Sequence, residues 1–170
     1  MDLSSYIREV MDFPKEGIGF KDITTLLKDG KAFSSSVDAL YDAVKDYEFD
    51  KIVAIESRGF IFGAALAYKM GVGFVPVCKE GKLPSDTVSV TYELEYGQDT
   101  LQMHSDALSP AERVLIIDDL LATGGTAAAA AEMVKKAGAE VALAAFLIEL
   151  EFLEGREKLK DYPILSLIKY

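Results

Sequence analysis

The chain has 170 residues, of which 50% are hydrophobic, and carries a formal net charge of −10 with a pI near 4.6. That size and apolar content fit one domain with a true core. The acidity excludes the basic face of a nucleic-acid binder, no apolar run approaches the roughly 18–20 residues of a membrane span, and one cysteine, Cys78, leaves no internal disulfide.

In chain order, the opening MDLSSYIREV shows no basic segment leading into an apolar one. No secretory signal is therefore expected, and the expected location is cytoplasmic. Residues 3–11 read as a short amphipathic helix, and residues 13–27 (FPKEGIGFKDITTLL), punctuated by Gly and Pro, as loop or short turns. Phe33, Val37, Leu40, Tyr41 and Val44 share one helical face of residues 32–47. KIVAI (51–55) is a buried strand, residues 59–70 a helix and GFVPV (73–77) the next strand. Residues 86–104 alternate polar and apolar around Tyr-Gly-Gln-Asp, which predicts a long β-hairpin with an exposed tip. RVLIID (113–118) is another buried strand. A helix over 124–138 ends at a glycine stop, and strands follow at 140–150 and 163–170. Strands alternating with helices imply right-handed crossovers and a mostly parallel sheet covered on both faces.

Ligands of such sheets sit at the carboxyl ends of strands, where VLIIDDLLATGGT places Asp118 and Asp119. The loop Ala122, Thr123, Gly124, Gly125, Thr126 then feeds a helix. Unpaired N–H groups at a helix start carry partial positive charge, and glycines let a phosphate approach them closely. Neither a GKS/GKT sequence nor GxGxxG is present, so this is neither the common nucleotide P-loop nor a dinucleotide fingerprint. Two carboxylates beside a phosphate need something between them, and a sugar serves. Its vicinal hydroxyls donate to the acids while its 5-phosphate sits in the loop. An acidic strand end before an ordinary helix, as in a cation-binding receiver domain, remains the alternative at this point.

VLIIDDLLATGGT resembles the phosphoribosyl pyrophosphate (PRPP) motif of type I phosphoribosyltransferases. FPKEGIGFKDITTLL, ESRGFIFG, KEGKLPSDTVSVTYELEYG and GREKLKDYPILSLIKY extend the likeness over nearly the whole chain, toward members of the family that use adenine. The resemblance implies a single α/β domain over residues 1–170 with the type I phosphoribosyltransferase fold: a twisted, mostly parallel sheet flanked by helices, a small N-terminal hood (about residues 1–30) over the base, and a flexible β-hairpin loop. It implies transfer of the 5-phosphoribosyl group from PRPP to adenine, with release of AMP and pyrophosphate in purine salvage.

The resemblance also implies residue roles. Asp118 and Asp119 bind the ribose hydroxyls, and Ala122, Thr123, Gly124, Gly125 and Thr126 hold the 5-phosphate. Arg58, Lys79 and Lys82 hold the pyrophosphate, with a cis peptide between Glu56 and Ser57. Glu95, in LEYG, contacts the imidazole edge of adenine, Phe20 stacks on the purine, and the main chain around Lys21 reads its amino edge. Many relatives carry arginine where this chain has Cys78, and some carry arginine at Lys21. Lysine cannot replace a planar bidentate contact. Cys78 is expected to be a buried, inert thiol and His104 structural. Mg²⁺ is expected with PRPP, touching Asp118 and Asp119 at most through the sugar or water, and a homodimer is expected. Alternatives are a phosphoribosyltransferase for another purine such as xanthine, and a PRPP-sensing regulator without catalysis.

Overall fold

The computed structural model describes residues 1–94 and 97–170. In chain order it contains β1 (Arg8–Val10), β2 (Phe20–Asp22), α1 (Thr24–Leu27), α2 (Gly30–Val44), β3 (Lys51–Ile55), α3 (Arg58–Met70), β4 (Gly73–Lys79), β5 (Thr87–Glu93), β6 (Gln98–His104), β7 (Arg113–Leu121), α4 (Gly125–Lys136), β8 (Glu140–Glu149) and β9 (Ile164–Lys169). Short 3-10 turns lie at Leu3–Tyr6, Glu151–Leu153 and Gly155–Leu159.

The apolar runs occupy the middle of a seven-stranded sheet ordered β5-β6-β4-β3-β7-β8-β9. The strands from β4 to β9 in that order are parallel, and β6 and β5 add an antiparallel edge on β4. Because successive side chains point to opposite faces, the sheet feeds two cores. Val53, Ile55, Val75, Val114 and Ile116 face α4. Ile52, Ala54, Leu115 and Ile117 face α2 and α3, where Phe62, Leu66 and Leu40 are fully buried. Burying one such side chain is worth about 1.5–3 kcal/mol. The buried alanines Ala127, Ala129, Ala130 and Ala131 let α4 lie close to the sheet. At Gly63, a Cβ would meet the Ala54 Cβ at 2.6 Å, so α3 approaches β3 through a missing side chain.

The chain leaves β3 toward β4 on one side and returns to β7 on the other. The β3–β7 boundary is therefore the point where strand order reverses and a crevice opens at the carboxyl ends.

Four expectations change. Residues 3–11 are a 3-10 turn followed by β1, because Arg8, Glu9 and Val10 pair antiparallel with Asp22, Lys21 and Phe20. Residues 13–27 contain β2 and α1. The hairpin over 86–104 forms as β5 and β6, but β4 runs two residues past the expected 73–77, and its Cys78 and Lys79 pair with Gln102 and Leu101 of β6. β7 also runs past Asp118 to Leu121, with Asp118 opposite Phe146 and Leu121 opposite Glu149, so both acids sit inside the strand. No helix among the described residues is long and apolar enough to cross a membrane.

Candidate active site

A cleft of about 380 Å³ opens at the reversal point, lined by Glu56, Ser57, Arg58, Lys79, Leu101 and residues 118–127. Every residue of the glycine loop is on its wall, as are both aspartates, Arg58 and Lys79. The sequence-predicted phosphate loop and two of the three pyrophosphate cations thus share one hollow, while Lys82 is not on its wall.

The glycine loop owes its shape to main-chain packing. Gly124 has φ +83°, a left-handed value, and a Cβ on it would stand 2.4 Å from the Gly155 carbonyl oxygen. Side chains are excluded there by both conformation and space. The α4 N-terminus begins at the next residue and has no side-chain cap, so its first N–H groups face the cleft without an internal acceptor. Thr126 Oγ1 lies 3.3 Å from Tyr92 Oη, which ties the loop to the hairpin.

The opposite wall is charged. The Glu56–Ser57 peptide is cis, as the resemblance implies, and α3 starts at Arg58. A Cβ on Gly59 would come within 2.9 Å of Asp118 Oδ1, so this turn lies directly on β7. Arg58 Nε donates to Asp119 Oδ2 at 2.6 Å, and the guanidinium faces the Phe20 ring 5.6 Å away. Asp119 is 4% exposed. Lys82 pairs with Glu56, whose other oxygen accepts the Lys79 N–H at 2.7 Å. The Lys79 ammonium pairs with Asp99. All three candidate pyrophosphate cations are therefore neutralised by the protein's own carboxylates.

Ionisation follows these contacts. Burial pulls Arg58 down, but Asp119 outweighs it and holds the guanidinium protonated. Burial pulls Glu56 up, but Lys82 and the Lys79 N–H leave it below its usual range. Asp118 is pushed well up by burial and then by the charge of Asp119, against weaker opposition from Arg58. Its Oδ1 accepts the Asp119 N–H at 2.8 Å. Burial and the neighbouring Glu56 raise Cys78, as expected of an inert thiol.

Outside the cleft, Phe20 meets Phe13 edge to face at 5.2 Å. The Lys21 ammonium pairs with Glu9 at 3.1 Å and lies 4.0 Å over the Tyr170 ring, so its side chain is committed away from any base. His104 Nε2 accepts the Ser85 N–H at 3.4 Å and is not on the cleft wall. Glu95 lies outside the described residues. Sequence reasoning gave no role to Glu56, Asp99 or Tyr92. Glu56 had a signal, since it follows the end of β3 two residues before Arg58. Asp99 reaches Lys79, and Tyr92 reaches Thr126, only through hairpin register.

A family model described as "Phosphoribosyl transferase domain" matches residues 22–168. An adenine phosphoribosyltransferase of Desulfitobacterium hafniense is 59% identical over 100% of this chain and 98% of its own length. The crystal structure of adenine phosphoribosyltransferase from Thermoanaerobacter pseudethanolicus superposes with a TM-score of 0.97 at 56% identity, covering 99% of this chain and 98% of the other. A Saccharomyces cerevisiae structure, complexed with adenine and an imino-altritol bisphosphate, gives a TM-score of 0.91 at 41% identity, with 97% and 96% covered.

Proposed function

The chain belongs to the phosphoribosyl transferase domain family, and from that premise we propose a reaction and a role for each wall of its cleft. The protein is a pentosyltransferase that moves the 5-phosphoribosyl group of PRPP onto adenine, giving AMP and pyrophosphate in purine salvage. The observation that carries the site reading is the uncapped, glycine-shaped start of α4 facing the acid doublet across one cleft.

In the reaction, a ring nitrogen of adenine bonds to C1 of the sugar, the C1–O bond to pyrophosphate breaks, and the nitrogen gives up its proton. Negative charge builds on the leaving group and positive charge on the sugar. Residues 122–126 hold the 5-phosphate with main-chain N–H groups and the Thr123 and Thr126 hydroxyls. Asp118 and Asp119 accept from the ribose hydroxyls. Arg58, Lys79 and Lys82 take the pyrophosphate, exchanging Asp119, Asp99 and Glu56 for its oxygens. Fixed positions and preplaced charges then lower the barrier without a covalent intermediate. Phe20 stacks on adenine, and Glu95 contacts its imidazole edge.

Among the described residues no three His, Cys, Asp or Glu side chains converge on one point. The doublet fits a Mg²⁺ ion that arrives with PRPP, because Mg²⁺ takes oxygen ligands and keeps several waters. Such an ion supplies positive charge to the leaving pyrophosphate. Ile61 and Tyr68 (92% exposed), two turns apart on one face of α3, and Phe74 on β4 are exposed apolar side chains, and such surface supports a homodimer. The phosphorylated substrate supports a cytoplasmic setting.

A coupled assay for nucleotide formed from PRPP and adenine, beside hypoxanthine, guanine and xanthine, tests the reading. AMP formation from adenine alone is the expected result, and faster turnover of any other base overturns it. Sedimentation at micromolar chain concentration should give a dimer mass, and a monomer there refutes the dimer.

A further inference from the structure

Behind the glycine loop the chain folds back on it. A Cβ on Gly155 would stand 2.4 Å from the Ala122 carbonyl oxygen, just as one on Gly124 would stand 2.4 Å from the Gly155 oxygen. Main chain thus packs directly on main chain. Three residues later the Lys158 ammonium lies 3.8 Å from where a Cβ on Gly125 would be, and it lines a hollow with Tyr92, Thr123 and Thr126. Among the described residues no ion pair or hydrogen bond engages that ammonium.

A buried carboxylate fixes this turn. Glu149, 3% exposed at the end of β8, accepts Arg156 Nε at 2.6 Å on one oxygen. Its other oxygen accepts Arg156 Nη2 at 2.7 Å and Ser166 Oγ at 2.6 Å. Arg156 Nη1 reaches the Ile164 carbonyl at 3.4 Å. The fork ties the turn to β8 and β9, yet neither Glu149 nor Arg156 lines the cleft. Desolvation makes a buried ion pair a weak source of stability. A bidentate guanidinium–carboxylate pair, however, fixes orientation well.

We propose that Glu149 and Arg156 are positioning residues for the 5-phosphate: their fork sets the turn at residues 155–159, which braces Gly124 and presents Lys158 to the bound phosphate. The inference rests on the reading of residues 122–126 as the phosphate cradle. It explains why a cation with no partner among the described residues stands over the start of α4, and why Gly124 and Gly155, 31 positions apart, both lack side chains where the turn and the loop pack main chain on main chain.

Calorimetric titration of AMP and of pyrophosphate separates this role from a general structural one, since only AMP carries the 5-phosphate. In Arg156→Ala the AMP Kd should rise about tenfold while pyrophosphate binding stays unchanged; equal losses for both, or none for either, overturn the proposal. Arg156→Ala leaves Glu149 buried and unpaired, which can unfold a domain. The double variant Glu149→Leu/Arg156→Met removes both charges and restores packing. It should melt as a folded protein and still bind AMP weakly, whereas full AMP affinity there reduces the fork to a stability element and overturns the proposal. Lys158→Gln should weaken AMP about threefold and leave pyrophosphate alone; unchanged AMP affinity overturns the assignment of Lys158. If the unaltered chain makes no AMP from adenine and PRPP, the reading of the cleft fails instead, so the two failures are distinguishable.

Discussion

On one side of the cleft, residues 122–126 are held by main chain against main chain, with no ion pair to open before an anion arrives. On the other, Arg58, Lys79 and Lys82 each hold a carboxylate of the protein. The first wall is ready for its ligand. The second must exchange partners, and the carboxylates it releases have to be satisfied by something else. The 5-phosphate belongs to both PRPP and AMP, so a rigid cradle suits a group that stays bound through the reaction. Pyrophosphate has to leave, and cations with alternative partners close up behind it. The contrast predicts that AMP and pyrophosphate will report on different residues.

The largest effect should come from the rigid wall. Gly124→Ala puts a Cβ into a left-handed backbone and into the Gly155 carbonyl oxygen. The loop has to move, and displacement of about 1 Å at a reacting geometry costs about 100-fold. Steady-state kinetics should show kcat/KM for PRPP falling by at least about that factor. AMP binding should weaken with it and pyrophosphate binding should not. A kcat/KM within twofold of the unaltered chain would mean that the loop adapts and that the walls do not differ.

A smaller loss is expected from the exchanging wall. Lys82 is exposed and pairs with Glu56, whose side chain is only 10% exposed, so Lys82→Ala leaves that carboxylate the Lys79 N–H but no ion pair and removes a cation for the leaving group. The expected outcome is a fall in kcat of about 10-fold, less than the roughly 100-fold of losing a donor fixed on the reacting atoms, because Arg58 and Lys79 still face the leaving group. Pyrophosphate affinity should drop while the AMP Kd holds. Loss of AMP affinity instead would join the two walls into one.

The same contrast shows how much the sequence makes legible. Apolar runs identify β3, β7, β8 and β9, and the helix periods identify α2, α3 and α4, because those signals are local. Leu3, Tyr6, Ile7 and Val10 also carry a helical spacing, but pairing of Arg8–Val10 with residues 20–22 overrides it. The acid doublet breaks the apolar run at Asp118 while β7 continues, since strand pairing needs only backbone. At the site, the glycine loop, both aspartates, Arg58 and Lys79 are legible and do share the cleft. Their internal partners are not. Asp99 reaches Lys79 because Lys79 pairs with Leu101 and side chains two apart share a face, a consequence of register and not of spacing along the chain. Gly155 lies too far along the sequence for its fit against Gly124 to leave any local trace.

The smallest effect concerns stability and comes from the doublet between the walls. Asp118 is raised well above its ordinary 3.8 by burial and by Asp119, while Asp119 has Arg58 as a partner. Below pH 3.8 the Asp118 carboxyl is protonated in folded and unfolded chains alike, and it makes no difference to stability. As pH rises, the unfolded chain ionises first, so the fold loses stability progressively until the folded carboxyl ionises too. Asp118→Asn removes that penalty and keeps an oxygen to accept the Asp119 N–H. The ligand-free variant should therefore melt higher at pH 7.5, by about 2–4 °C for a gain of about 1 kcal/mol in a chain of this size, and the gain should vanish toward pH 4. Saturating PRPP should reverse the order, because the unaltered chain has ribose hydroxyls to satisfy its carboxylate and the variant binds them less well. A variant that melts lower than the unaltered chain at pH 7.5 without ligand would mean that Asp118 stabilises the empty cleft, and that the doublet belongs with the settled wall.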